Sequence, residues 1–347
     1  MKKLVIFIAI ICLLIGVWFV YSEIFSSQAQ YSEAVTFTID EGESVKQISQ
    51  KLEQQHIIRN AGLFNFYARW KGIDRQIHHG EFTVTKPITI ARVVQALLTP
   101  GGSEQTITIL PGWDLRDIAE YLQKEGIIKN ENELYDIAGI PAVNYKTFNS
   151  IKEFPHLDIQ SKLLADKPSF ISYEGFLAPD TYRIFKNSTA TDIVKKLIFE
   201  RNSQFTDKMY EDVKKSDRTL FEVITMASIV EREVRGKEDK SIVADIFWRR
   251  YDMNWALQAD STVHYAVGKK GNVFTTKEDR DSMSEWNTYR WPGLPLGPIS
   301  NPSLESIIAT IYPTKNNNWY FLTATDGSVK YGKTLEEHNQ NVFRYLR

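Results

Sequence analysis

Residues 220–235 read LFEVITMASIVEREVR, and this stretch decides how the carboxy-terminal half is built. Leu220, Val223, Ile224, Ala227, Val230 and Val234 recur at the spacing of one buried helix face. Extending the row Leu220, Ile224, Ala227 by four residues reaches Glu231, so a carboxylate continues the apolar stripe. Glu233, about 200° further round, points elsewhere. Removing a carboxylate from water disfavours its charged form. Glu231 is therefore the candidate proton donor near neutral pH. The plainer role for it is an ion pair at the helix edge with Arg232, Arg235 or a remote lysine.

The composition is that of a globular protein of two or three folded units, 347 residues long with 43% hydrophobic and 24% charged side chains. A net charge of −1 gives no basic excess for nucleic acid and no acidic tail. Cys12 is the only cysteine, which excludes an intrachain disulfide and a cysteine-based metal site. The six histidines include the adjacent pair His78-His79 but no metal-ligand spacing, so neither metal nor cofactor is expected.

Upstream, Lys2 and Lys3 precede an uncharged run over residues 4–21, LVIFIAIICLLIGVWFVY. As a helix it spans roughly 27 Å, close to a hydrocarbon core. Lysines before it and Glu23 after it predict a cytoplasmic tail (1–3), a transmembrane anchor (4–21) and a linker (22–33), with everything beyond facing outward. The best small-residue cleavage site, Ser27-Gln28-Ala29, lies well past the run, which favours a retained anchor over a signal peptide. Ile10 and Ile11 precede Cys12 where lipidation requires small residues.

Residues 36–60 and 106–130 align without a gap: TFTIDEGESVKQISQKLEQQHIIRN over TITILPGWDLRDIAEYLQKEGIIKN. Each copy predicts a short strand, a glycine turn at Gly42 or Gly112, and a helix with paired apolar positions. Ser44 with Gln47 forms a capping-box signature, and Asp114 occupies the equivalent N-cap. Asn60 and Asn130 can each start a second helix. With a strand at residues 80–85 the first copy becomes β-α-α-β, a layout that resembles the glycan-binding LysM module. The modules are expected at 34–100 and 104–139. The plainer reading is two spacer domains. Residues 140–169, with Pro141, Pro155 and Pro168, predict an irregular connection to a catalytic domain over 170–347. The fold class is thus α+β: an anchor, two strand–helix modules and a mixed α/β catalytic domain.

Four clusters follow in that domain: YEGFLAPDTYRI (173–184), ASIVEREV (227–234), LQADSTVHYAV (257–267) and NTYRWPGLPLGPI (287–299). Asp326-Gly327 predicts a hairpin turn, and a last helix starts at Thr334. Gln258, Ser261, Asn287 and Tyr289 are suited to hydrogen-bonding a polar substrate, or alternatively to satisfying loop backbone. Glu174 and Asp180 are candidates for orienting a cleft. Paired with Glu231, either of these or Asp260 would suit a hydrolase.

Together with the amino-terminal layout, the clusters resemble the YceG-like family of endolytic murein transglycosylases. The family's essential glutamate lies in an A-S-I-x-E segment, which Glu231 matches; Ala178 stands where an aromatic is common. The resemblance implies peptidoglycan glycan strands as substrate and non-hydrolytic cleavage between N-acetylmuramic acid and N-acetylglucosamine, leaving a 1,6-anhydro end. It also implies peptidoglycan synthases as neighbours at the inner membrane. By analogy, a lysozyme-like active-site helix is expected. The rivals are a hydrolase using a second carboxylate and a non-catalytic glycan-binding scaffold.

Overall fold

The computed structural model describes residues 2–27, 34–40, 43–73, 77, 80–98, 104–147, 157–186, 188–269 and 275–346, without the side chains of 2–6, 8–10, 13, 81 and 104. Gln28-Ala29, Gly42, His78-His79 and Pro155 lie outside the described residues. Two compact units result: Met1–Gln105 with Arg183–Asn187, and Thr106–Tyr182 with Ser188–Arg347.

The first unit opens with α1 (Lys2–Phe25), which covers the apolar run. Among the described residues, however, no helix is long and apolar enough to cross a membrane. After it come β1 (Val35–Ile39), α2 (Val45–Gln54), α3 (Ala61–Trp70), β2 (Gly80–Val84) and α4 (Ile90–Leu98). β1 and β2 pair antiparallel, Val35 opposite Val84 and Ile39 opposite Gly80. The alternation of β1 places Val35, Phe37 and Ile39 inward, where Phe37 stacks on Phe82 at 5.8 Å. Ile48, Leu52 and Phe64 from the two helices close the core. Ser44 and Gln47 form the expected reciprocal cap, and Asn60 caps α3. The β-α-α-β order read from the sequence is present, with α4 added behind it.

The second copy departs from expectation. Its strand β3 (Glu104–Thr108) pairs with a distant strand, β4 (Thr181–Phe185), instead of a return strand of its own. Thr108 and Thr181 join through their hydroxyls at 3.1 Å, and Ile109 N–H bonds Asp180 O at 2.9 Å. α5 (Leu115–Lys124), capped by Asp114 as expected, and α6 (Asn132–Ala138) follow. From Thr106 onward the copy belongs to the second unit, because its turn is stitched to residues nearly two hundred positions away. Gly112 N–H bonds Asn301 O at 2.9 Å, and Asn301 N–H bonds Trp113 O at 2.8 Å.

The rest of this unit is helical: α7 (Ala190–Ser203), α8 (Asp207–Lys215), α9 (Leu220–Glu233), α10 (Lys237–Asp252), α11 (Asp260–Val267), α12 (Lys277–Arg280) and α13 (Leu304–Ile311). The hairpin β5 (Tyr320–Thr323) and β6 (Val329–Gly332) turns at Gly327 as predicted, and α14 (Leu335–Tyr345) ends the chain. The sequence pattern predicted one buried face for α9, but every residue from Val223 to Val230 is buried. α10 and α13 pack against it. Thr225 and Ser228 tolerate this because their hydroxyls donate to the helix's own carbonyls, Phe221 O at 2.8 Å and Thr225 O at 2.6 Å.

Packing at α9 is tight where Gly175 meets it. A Cβ at Gly175 would lie 2.6 Å from Pro298 Cβ and 2.9 Å from Ile224 Cγ2, at a φ of +86°. Gly175→Ala is expected to destabilise the chain by about 3 kcal/mol through strain and overpacking. Denaturant unfolding checks this; an unchanged midpoint would show that the segment yields.

Candidate active site

The last turn of α9 carries two carboxylates two residues apart, and the helix sends them into opposite environments. Glu231 reaches the first turn of α13. Its Oε2 accepts from Ser303 N–H at 2.8 Å, Ser303 Oγ at 2.5 Å and Ser306 Oγ at 2.6 Å. Lys240 Nζ on α10 lies 3.3 Å from Oε1. The side chain is 9% exposed. Burial alone would raise its pKa, as the sequence reading expected, but the serine hydrogen bonds and Lys240 outweigh burial and hold the carboxyl below its ordinary value. A helix start adds favourable partial charge. That expectation is therefore corrected: in this structure Glu231 is a pinned carboxylate.

Glu233 was not among the sequence candidates, yet its carboxyl is the one shifted upward. It is packed around on most sides while the residue keeps partial solvent exposure. Burial is the main cause of its raised pKa, and nearby Asp260 adds to it, against hydrogen bonds from Ser261 and the charge of Arg232. Ser261 donates its hydroxyl to Oε1 at 2.6 Å and its N–H at 3.4 Å. Asp260 Oδ1 accepts from Tyr289 Oη at 2.9 Å and Thr275 Oγ1 at 2.8 Å. Two separated sequence clusters, 257–267 and 287–299, thus meet at the carboxyl closing α9. The signal for Glu233 was its place beside Glu231 on the most buried helix, where either carboxylate had a claim to shelter.

The other candidates divide. Ser261 and Tyr289 belong to this constellation. Gln258 is exposed beside it, at a φ of +53°, with its N–H on Thr288 O at 3.2 Å. Asn287 is fully buried and organises its own loop. Its Nδ2 donates to Arg280 O and Ser282 O at 2.9 and 2.8 Å, and its Oδ1 accepts from Tyr289 N–H. Its amide is spent on backbone instead of a ligand, which corrects the substrate-binding expectation.

Glu174 is likewise fully buried. It accepts from Leu115 N–H at 2.9 Å, Asn301 Nδ2 at 2.8 Å and Tyr265 Oη at 3.3 Å. Burial, with Asp114 nearby, pushes its carboxyl well above the ordinary range. Its carboxyl braces the scaffold through these contacts. Asp180 is exposed at the start of β4, where its carboxylate accepts the N–H of Thr181. Neither joins the constellation. Among the described residues, no group of three or more histidine, cysteine, aspartate or glutamate side chains is arranged to hold a metal ion.

A model of the YceG-like family matches residues 37–344. An endolytic murein transglycosylase of Bacillus subtilis (strain 168) is 30% identical over 346 residues, 96% of this chain and 91% of the relative. An endolytic murein transglycosylase of Streptococcus pneumoniae (strain D39) is 29% identical over 345 residues, 95% of this chain. The chain spans only 62% of that streptococcal relative's length. The crystal structure of a YceG-like protein from Listeria monocytogenes superposes with a TM-score of 0.55 at 28% identity, covering 89% of this chain and 99% of that one.

The lowered pKa of Glu231 links it to stability. Its ionised form contributes stability that is fully present above the unfolded value of about 4.3 and is lost as pH falls through the lower folded value. Glu231→Gln is expected to be less stable than the parent by roughly 1–3 kcal/mol at pH 7, with the gap narrowing below pH ~4. Unfolding curves across that range check it; a gap independent of pH would contradict the pinned carboxylate.

Proposed function

The chain belongs to the YceG-like family, and we propose that it is a peptidoglycan lytic transglycosylase whose proton donor sits at the end of α9. The substrate class is taken from the names of its relatives, endolytic murein transglycosylases. The observation that carries the chemistry is geometric: Glu233 accepts from Ser261 at the end of α9, beside Asp260, which Tyr289 and Thr275 hold in place.

A general acid must hold its proton at working pH and then release it in the transition state. In its protonated form Glu233 donates to the glycosidic oxygen linking N-acetylmuramic acid to N-acetylglucosamine. The C1–O bond breaks as oxocarbenium character grows at the muramyl carbon. The Glu233 carboxylate then takes the proton of the muramyl 6-hydroxyl while that oxygen bonds to C1, closing the 1,6-anhydro ring without water. Ser261 steadies the carboxylate, and Asp260, oriented by Tyr289 and Thr275, holds the pKa up. Gln258, exposed beside them, is suited to a sugar acetamide.

Glu231, the donor expected from the sequence, can serve only by leaving Ser303, Ser306 and Lys240, so it is the second reading. A hydrolase is a third, favoured by the closeness of Asp260 to Glu233, since hydrolysis uses two carboxylates. The proposal extends to the whole chain: the uncharged apolar run of residues 4–21, several of whose side chains lie outside the described set, as a single-pass anchor read from the sequence, with the enzyme outside the inner membrane beside peptidoglycan synthases. The β-α-α-β unit is then a LysM-like glycan-binding module, and α9 plays the part of a lysozyme-like active-site helix. A scaffold without catalysis is the alternative of another class.

Digestion of purified peptidoglycan followed by mass analysis separates these readings. Muramyl ends lighter by one water support lytic cleavage, reducing ends mean hydrolysis, and no cleavage leaves the scaffold. Glu233→Gln is expected to lower turnover by about 10²-fold or more with the fold intact, while Glu231→Gln retains most turnover once folded. The reverse pattern would assign the acid to Glu231.

A further inference from the structure

Beside the α9 terminus, α5 and the end of α11 border a polar cavity that the proposed chemistry does not use. It measures about 130 Å³ and is lined by Asp114, Arg116, Asp117, Arg232, Tyr265 and Lys269, among others. Three of these carry positive charge and two negative. The acidic side chains are already engaged. Asp114 accepts from Arg116 N–H at 2.8 Å and pairs with its guanidinium at 3.1 Å. Asp117 accepts the N–H of Asp114 at 3.1 Å. Arg116 is also laid over the Tyr265 ring, 4.9 Å from its centroid, which fixes the guanidinium as a wall of the cavity. Lys269 pairs with Asp279 at 2.6 Å. Arg232 is exposed, bonds only a carbonyl, Gly112 O at 3.3 Å, and has no carboxylate partner among the described residues. The cavity therefore presents one cationic side chain, Arg232, with no carboxylate partner among the described residues, beside the Arg116 guanidinium and the Lys269 ammonium, and guanidiniums are suited to bidentate recognition of a planar anion.

Its position identifies the anion. Arg232 lies between Glu231 and Glu233, and α11 carries Asp260 and Ser261 at its start and the cavity residue Tyr265 one turn later, with Lys269 just past its end. Eight helical residues span about 12 Å, a distance that about four extended peptide residues bridge at about 3.5 Å each. We propose that this cavity is a specificity subsite that receives a carboxylate of the peptide carried by the muramyl residue, gripped by Arg232 with Arg116 and Lys269. The assignment rests on the transglycosylase reading above. It makes the enzyme a reader of peptide-bearing glycan, so that strands stripped of peptide, or carrying amidated peptide, are poorer substrates.

The test measures kcat/KM of the full chain on peptide-bearing strands and on the same strands stripped by an amidase. Arg232→Gln and Lys269→Gln are compared with the parent. Arg232 also acts on the pKa of Glu233, so the readout is the ratio between the two substrates, in which that effect cancels. The parent is expected to prefer peptide-bearing strands by roughly tenfold, the gain of one charge-assisted contact. Each variant should bring the ratio close to one, chiefly through KM. Equal rates for the parent on both strands, or a ratio unchanged in both variants, would overturn the subsite.

Calorimetry with muramyl dipeptide as probe needs no turnover and keeps the two proposals apart. If neither strand is cleaved, the transglycosylase reading fails, and the cavity is judged on this titration alone. Saturable binding that is lost in Arg232→Gln and with the amidated dipeptide supports the subsite. No binding, or equal binding of the amide, refutes it.

Discussion

A single buried amide, Asn301, ties together the segments on which the site depends. Its Oδ1 accepts from Gly175 and Leu177 N–H at 2.9 and 3.0 Å, and its Nδ2 donates to Trp113 O and Glu174 Oε1 at 3.1 and 2.8 Å. Its backbone holds the Gly112 turn from both sides. A fully satisfied buried amide fixes a unique arrangement, because any shift leaves several polar groups unpaired in a low dielectric. Two residues on, Ser303 starts α13 and clamps Glu231. The position of the α9 terminus is thus set by polar contacts between segments far apart in the chain.

That clamp explains how neighbouring carboxylates on one helix acquire different chemistry. Both are withdrawn from water, so burial pushes both pKa values up. At Glu231 two hydroxyls, a backbone N–H and an ammonium reverse the push. At Glu233 the hydrogen bonds from Ser261 do not outweigh burial, to which nearby Asp260 adds. Environments that drive two acids apart are how a site assigns proton donor and fixed charge. Arg201 shows the same economy in the scaffold: fully buried, it donates to Leu177 O at 3.2 Å and Pro302 O at 2.5 Å, stapling the segments on either side of Asn301's contacts.

Local chemistry was legible in the sequence. The caps at Ser44, Asn60 and Asp114, the turn at Asp326-Gly327 and the helix from residue 220 each depend on a few adjacent residues, and all are present. What depended on distant partners was not. The repeat over residues 106–130 resembles the first copy in every local signal, yet β3 finds β4 and Gly112 finds Asn301, so it builds part of the second unit. The carboxylate stripe on α9 was read for direction, but the groups that set each pKa, Ser303 and Ser306 for one and Asp260 and Ser261 for the other, lie on other elements. Asn287 and Glu174 looked like ligand-binding polar residues and are instead consumed by backbone and scaffold, which residue type alone cannot distinguish.

Of the two glutamates closing α9, Glu233 is expected to hold its proton more tightly than a free carboxyl and Glu231 less tightly. Carboxyl-carbon NMR titration, with the two resonances assigned through Glu231→Gln and Glu233→Gln, tests it most directly. One resonance is expected to titrate above the free-glutamate value of about 4.3 and belong to Glu233, and one below it to belong to Glu231. Both resonances near the free-glutamate value, or the two assignments exchanged, would contradict this split.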